Sequence, residues 1–269
     1  MKLGNLAGGK AVGFRPEIPR VFDSLEEARN SLDYHWNGCI HLFHKVQDQS
    51  ESPPRLEEDR RHYLELFQRW LRAFQMFLDN SSKILDTKSL QGARVLQFSQ
   101  AFAMANIDAS TVAHQLSETV WDKYKPYYEH MVSLGQEVID LAAPEDHVQS
   151  KGPPNFCLDM NIVGPLYAVA HRCRDPVIRR KAVSLLYAAP RQEGIWDSVA
   201  TARVAERLLS IEEEGLGPIT SCKDVPDAAR VSSVDVKFDF HGRLGKVKYS
   251  RERNCGDKKR EDLEETIRW

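Results

Sequence analysis

His35, Cys39, His41 and His44 fall within ten residues and are all of types that ligate zinc. His35 and Cys39 stand one helical turn apart and share a face, whereas His41 and His44 point elsewhere at about 100° per residue. A single helix cannot bring all four onto one ion, so they are expected to be ordinary, partly buried side chains, with no metal assigned. A second group is basic: Arg172, Arg174, Arg179, Arg180, Lys181 and Arg191. Guanidinium forks suit carboxylates and phosphates, which makes an anion or acidic-peptide site conceivable. Asp175, Glu193 and Asp197 lie close in sequence, however, and internal ion pairing is the expected role.

The third group is Tyr167, His171, Arg174 and Trp196. A His one turn from a Tyr, beside an aromatic, is suited to line a pocket and move a proton. Core packing with hydrogen-bonded polar ends is the plainer expectation. These four are carried as ligand-pocket candidates, and no residue is assigned as catalytic. Gly-x-Ser-x-Gly, a phosphate loop, a dinucleotide fingerprint and His-Glu-x-x-His are all absent from the sequence, and no cofactor is assigned.

The elements that must position these residues are helices. Ser24 with Glu27 three positions on has capping-box spacing, and Leu25, Ala28, Leu32, Trp36, Ile40 and Phe43 continue a helix to about Val46. Gln47 to Pro54 reads as a loop. A second helix, about Leu56 to Leu78, carries Tyr63, Phe67, Trp70, Phe74 and Phe77 on its apolar side. A third is expected from Lys83 to about Ala105 and a fourth from Thr111 to Tyr124. Lys125-Pro126 breaks or kinks the path, Tyr127 to Leu141 resumes it, and Ala143 to Pro154 is a linker. Next come three helices: Phe156 to His171; one opened by the Asp175-Pro176 cap and ended by Pro190; and one whose apolar stripe begins at Trp196 and ends near Glu214.

Beyond Glu214 the pattern changes. Val234, Val236, Phe238 and Phe240 alternate with Asp235, Lys237 and Asp239, Gly242 to Gly245 turn the chain, and Val247 and Tyr249 alternate on the return. This is a β-hairpin, which needs the helices beneath it for stability. The charged tail from Arg251 is expected to end in a short helix, Glu261 to Arg268. The expected fold is therefore all-α, an irregular helical array or bundle with a small C-terminal β-hairpin. Its parts are a lead-in (1–22), a helical region (23–214), the loop and hairpin (215–250) and the tail (251–269). No fixed repeat period is present.

Composition narrows the partners. The 269 residues carry a net charge of −2, so a nucleic acid or an anionic membrane is not favoured. No run reaches the roughly 20 apolar residues of a membrane span, and the first residues hold no continuous apolar core of the signal-peptide kind. Five cysteines, none in a Cys-x-x-Cys pair, read as free thiols of a reducing compartment. Lys258-Lys259-Arg260 has the composition of an import signal but is flanked by acids, as solvated faces are. A nuclear or cytoplasmic location is expected.

Some stretches carry a resemblance. Pro-Leu-Tyr (165–167), His-Arg-Cys-Arg-Asp-Pro (171–176), Ile-Arg-Arg-Lys-Ala (178–182) and Pro-Arg-Gln-Glu-Gly-Ile-Trp-Asp-Ser (190–198), with Phe22-Asp-Ser-Leu-Glu-Glu-Ala-Arg29, resemble the C-terminal regulatory region of fungal zinc-cluster transcription factors. The resemblance runs from about residue 20 to about 250. It implies a helical regulatory or protein-interaction domain tied to fungal metabolism, with other regulatory proteins as partners. The six-cysteine DNA-binding cluster of such factors is not in this sequence, so no direct DNA binding is expected. Two alternatives use the same scaffold: an isomerase- or cyclase-type enzyme with an apolar pocket for a small metabolite, or a sensor that binds such a metabolite without turnover.

Overall fold

In the computed structural model, the described residues are 17–48, 50–81, 84–110, 117–142, 155–157, 162–255 and 257–269. Ser24 caps the first helix, α1 (Leu25–Gln47), by accepting from the Glu27 N–H at 3.1 Å, while Glu27 accepts from the Asp23 N–H at 2.7 Å. The second, α2, runs Pro53–Ser81 and starts three residues before the expected Leu56, because two prolines in a first turn give up donors that have no helical partner anyway. The third, α3 (Thr87–Ala109), begins later than Lys83, since Asp86 accepts from the Ser89 N–H at 2.8 Å and makes a better start.

The expected helix from Thr111 is described only from Ser117 on. That part is a 3₁₀ turn, Glu118–Tyr124, capped by Ser117. Lys125-Pro126 opens a helix rather than breaking one: α4 spans Lys125–Asp140, with its proline in the first turn. The Ala143 to Pro154 linker lies outside the described residues.

Two expectations for the next stretch are corrected. The helix placed at Phe156 begins at Val163 (α5, Val163–Arg172), and Asn155–Cys157 is a short strand, β1. That strand pairs in parallel with β2 (Arg191–Glu193). Trp196 does not open a helix either. Gly194, at φ 55°, turns the chain so that Gln192 pairs with Asp197 and Glu193 with Trp196, which makes Trp196–Asp197 a strand, β3. Asp197 then caps α7 (Ser198–Glu213) through the Ala200 N–H at 2.8 Å. Between these lies α6 (Pro176–Ala188), capped by Asp175 as its sequence predicts.

The hairpin forms in the expected place, from β4 (Ser233–Asp239) and β5 (Leu244–Cys255), with Val234 opposite Tyr249 and Val236 opposite Val247. The tail is a third antiparallel strand, β6 (Asp257–Arg268), where a short helix was expected. Eight residues are marginal for a helix alone, whereas the open edge of β5 offers the backbone groups of alternate residues a partner along the whole segment. Cross-strand ion pairs then hold the register: Arg251 with Glu261 at 2.8 Å and Lys248 with Asp262 at 2.7 Å.

The core has two parts, with α3 as the wall between them. Ala93, Leu96, Met104 and Ile107 face α1 and α2, packing with Phe67, Trp70, Phe74 and Phe77. Phe98 and Ala101 face the other way, toward α4–α7 and the sheet. That is why α3 is apolar on most of its circumference. The sheet joins the second part: Val247 and Tyr249 are buried there, and the Tyr249 hydroxyl donates to the Val204 carbonyl at 3.3 Å. The fold is mostly helical, with a small three-stranded sheet. Among the described residues, no helix is long and apolar enough to cross a membrane.

Candidate functional site

The helix-one histidines separate as the helix turns. His35 and Cys39 are buried, while His41 and His44 are exposed. Burial raises the Cys39 thiol far above its ordinary range, so it stays protonated and behaves as a small apolar side chain. Among the described residues no group of three or more His, Cys, Asp or Glu is arranged to hold a metal ion. Cys173 is also a buried free thiol, pushed up to about 12 by desolvation, and Cys222 is a half-buried one.

The basic group is tied to acids and backbone carbonyls within the chain. Arg174 donates to both Glu212 oxygens, at 2.8 and 3.3 Å, and to the Val231 carbonyl at 3.1 Å. Arg179 reaches Glu212 at 2.8 Å from the other side. Arg174, Arg179 and Glu212 have no solvent exposure. Burial alone would raise the Glu212 carboxyl, but the Arg174 and Arg179 charges outweigh it and hold the group below its usual value. Glu118 accepts from Arg172 at 2.7 Å and from Arg174 at 3.2 Å. Arg180 pairs with Glu213, Lys181 meets Gln136, and Arg191 sits 4.0 Å from Glu193. The network joins α5, α6, α7, the 3₁₀ turn and the loop at Val231. Asp175 and Asp197 are helix caps, and Glu193 accepts from the Ile162 and Val163 N–H groups at the start of α5, at 3.0 and 2.9 Å.

The four pocket candidates divide between two surroundings. Tyr167 and Trp196 face a cleft, their rings 5.8 Å apart, with the Trp196 indole lying over Gly164. The His171 ring lies 5.8 Å from that of Tyr167, tilted 45° to it, and is buried, its Nε2 3.1 Å from the Val231 carbonyl. A carbonyl only accepts, so Nε2 carries the proton and donates it. Burial, reinforced by Arg172 and Arg174, lowers the His171 pKa well below its ordinary value and keeps the ring neutral. Arg174 belongs to the ion network. Sequence spacing therefore locates one wall of the cleft and one edge of the network as if they were a single site.

The cleft measures about 1160 Å³ and lies among α1, α3, α5 and the β2–β3 turn. Trp36 of α1 and Phe102 of α3 line it as a second aromatic pair, 5.7 Å apart. Neither ring stands out in the sequence, because each fits an ordinary apolar stripe. Gly92, isolated inside α3, is the sequence signal that was available. Glu212 had another: a carboxylate next to Ile211 on the apolar side of α7.

No known family pattern matches the chain, and no solved structure matches it. Over 104 residues it is 35% identical to the aspercryptin biosynthesis cluster-specific transcription regulator of Emericella nidulans. The match covers 37% of this chain and 17% of that regulator, so the chain spans about a sixth of its relative's length. The similarity supports the fungal transcription-factor-like character expected from residues 22–29 and 165–198 and carries no information on a zinc cluster.

Proposed function

We propose that the chain is a regulatory, protein-interaction region of the kind found in fungal transcription regulators, acting in the nucleus on genes of a metabolic cluster. The similarity to a cluster-specific regulator carries this reading. The geometry is consistent with it: the densest set of charges, from Glu118 to Glu213, is spent on joining helices to one another. Such a set builds a scaffold. His171, the acid–base candidate of the enzyme alternative, donates to a backbone carbonyl within the core.

Tethering tests the proposal. The chain is fused to an unrelated DNA-binding domain of known sequence preference and assayed on a matching reporter in a filamentous fungus. A several-fold change in reporter output, relative to the DNA-binding domain alone at equal protein level, is expected. Unchanged output from a soluble, folded fusion would refute the regulatory role.

A further inference from the structure

The aromatic cleft is left open at a point where the fold has no need of space. Gly92 sits inside α3, where glycine is destabilising relative to alanine, and a Cβ built on it would meet nothing within 4 Å. Close packing therefore does not explain this glycine. Gly164 on the α5 side differs: a Cβ there would lie 3.4 Å from the Trp196 ring, so the indole rests directly on the backbone. Two aromatic pairs, Trp36–Phe102 and Tyr167–Trp196, thus line a cleft whose α3 side is bare at Gly92.

The polar groups of the cleft narrow what it would take. Its charged side chains balance, with Glu26, Asp33 and Glu193 against Arg29, Lys88 and Arg191. Arg29 lies 3.7 Å from Asp33, and Arg191 lies 4.0 Å from Glu193. Glu193 is further engaged by the start of α5, and Gln91 donates to the Val138 carbonyl at 2.9 Å. No excess of either charge sign faces the space. Beside Glu26 and Lys88, which oppose one another in sign, the aromatic faces are the most extensive surface left for a ligand, and they favour flat, apolar surfaces. At about 1160 Å³ the cleft is slightly above the roughly 300–1,000 Å³ usual for small-molecule sites, larger than one ring requires.

We propose that this cleft binds an uncharged, planar, multi-ring small molecule between the Trp36–Phe102 and Tyr167–Trp196 pairs. The inference goes beyond the regulatory reading and does not depend on it, because binding is measured on the purified chain without a reporter.

Nile red, a neutral planar dye whose emission shifts to the blue in apolar surroundings, serves as the probe. Saturable binding at one dye per chain is expected, with quenching of tryptophan emission. Gly92→Phe starts a ring from a Cβ position that meets nothing within 4 Å and directs it into the cleft, and should weaken binding at least tenfold while the melting temperature stays near that of the wild type. Ser99→Phe, two turns along the same helix and also on the cleft, is the second filling variant and decides the matter if the first does not fold. Gly92→Ala should keep the dye within about threefold. Binding that survives undiminished in a folded filling variant would place the dye elsewhere and overturn the proposal, as would the absence of saturable binding. Tighter binding of the anionic dye anilinonaphthalene sulfonate than of Nile red would overturn the assignment of an uncharged ligand.

Discussion

Arg174 and Glu212 lie 38 residues apart and meet in a two-point ion pair without solvent exposure, the guanidinium bridging both carboxylate oxygens. Arg179 holds the same carboxylate from the neighbouring helix, and the Val231 N–H donates to it at 2.7 Å. One glutamate thus ties together the end of α5, helix α6, helix α7 and the entry to the sheet. Bringing these charges out of water is costly, and only the full set of partners offsets it.

Removing Glu212 is therefore expected to be severe. Glu212→Ala leaves two buried guanidinium groups without their shared anion, and such a loss typically costs about 3–5 kcal/mol. Urea unfolding of the wild type and the variant measures it. A loss below about 1 kcal/mol would show that the network tolerates the gap and is not the fastening described.

Stability should fall on mild acidification, and the sign follows from His171. Its folded pKa is depressed well below the ordinary 6.5 by burial and by Arg172 and Arg174. Below that ordinary value the unfolded chain binds a proton that the folded chain refuses, so stability is retained above about pH 6.5 and lost as pH falls beneath it. Each pH unit of the window removes up to about 1.4 kcal/mol. His35, likewise lowered by burial and by His62 and Arg69, acts in the same direction. His171→Gln retains an N–H for the Val231 carbonyl and cannot titrate. Between pH 7.5 and 5.5 its melting temperature should drop less than that of the wild type, and equal drops would remove His171 as a source of the acid sensitivity.

The tail offers a test that separates strand from helix. In β6 the antiparallel ladder with β5 uses the N–H of alternate residues, and the others face solvent because β6 is an edge. Hydrogen exchange resolved by residue should find protection at every second amide between 261 and 268. Protection of consecutive amides there would restore the helix expected from the sequence.

The sequence shows the helices more readily than their beginnings. Periodicity of apolar residues places most helices because burial of one face selects it, and Asp175-Pro176 is legible because a cap and a first-turn proline are local chemistry. Val163 and Ser198 are not legible as helix starts. Each depends on β2 pairing at a distance: Asn155–Cys157 finds Arg191–Glu193, and Glu193 finds Trp196. The β6 strand is hidden for the same reason, as its partner lies across a turn. The pocket candidates were half legible. Tyr167 and Trp196 lie on the cleft, but nothing near His171 or Arg174 in sequence announces Val231 or Glu212, and the α1–α3 side of the cleft is contributed by helices far upstream.

Two tryptophans put that distinction on a common scale. Trp70 is 1% exposed, donates to the Ala28 carbonyl at 2.9 Å and stacks on Phe74 at 4.7 Å, so α1 and α2 are joined through it. Trp196 is only half-buried, resting on Gly164 with one side toward the cleft. Truncating a fully packed tryptophan costs about 3–5 kcal/mol, from lost transfer energy plus the cavity left behind. Trp70→Ala should lie in that range. Trp196→Ala creates no closed cavity, because its space opens into the cleft, and should cost about 1–2 kcal/mol on the area term alone. The same change removes an aromatic face from the cleft, so it should weaken Nile red binding well beyond what its modest effect on folding explains. Equilibrium unfolding and dye titration on both variants decide it. A Trp196→Ala protein as destabilised as Trp70→Ala would mean that the indole is a core anchor, with its exposed side incidental.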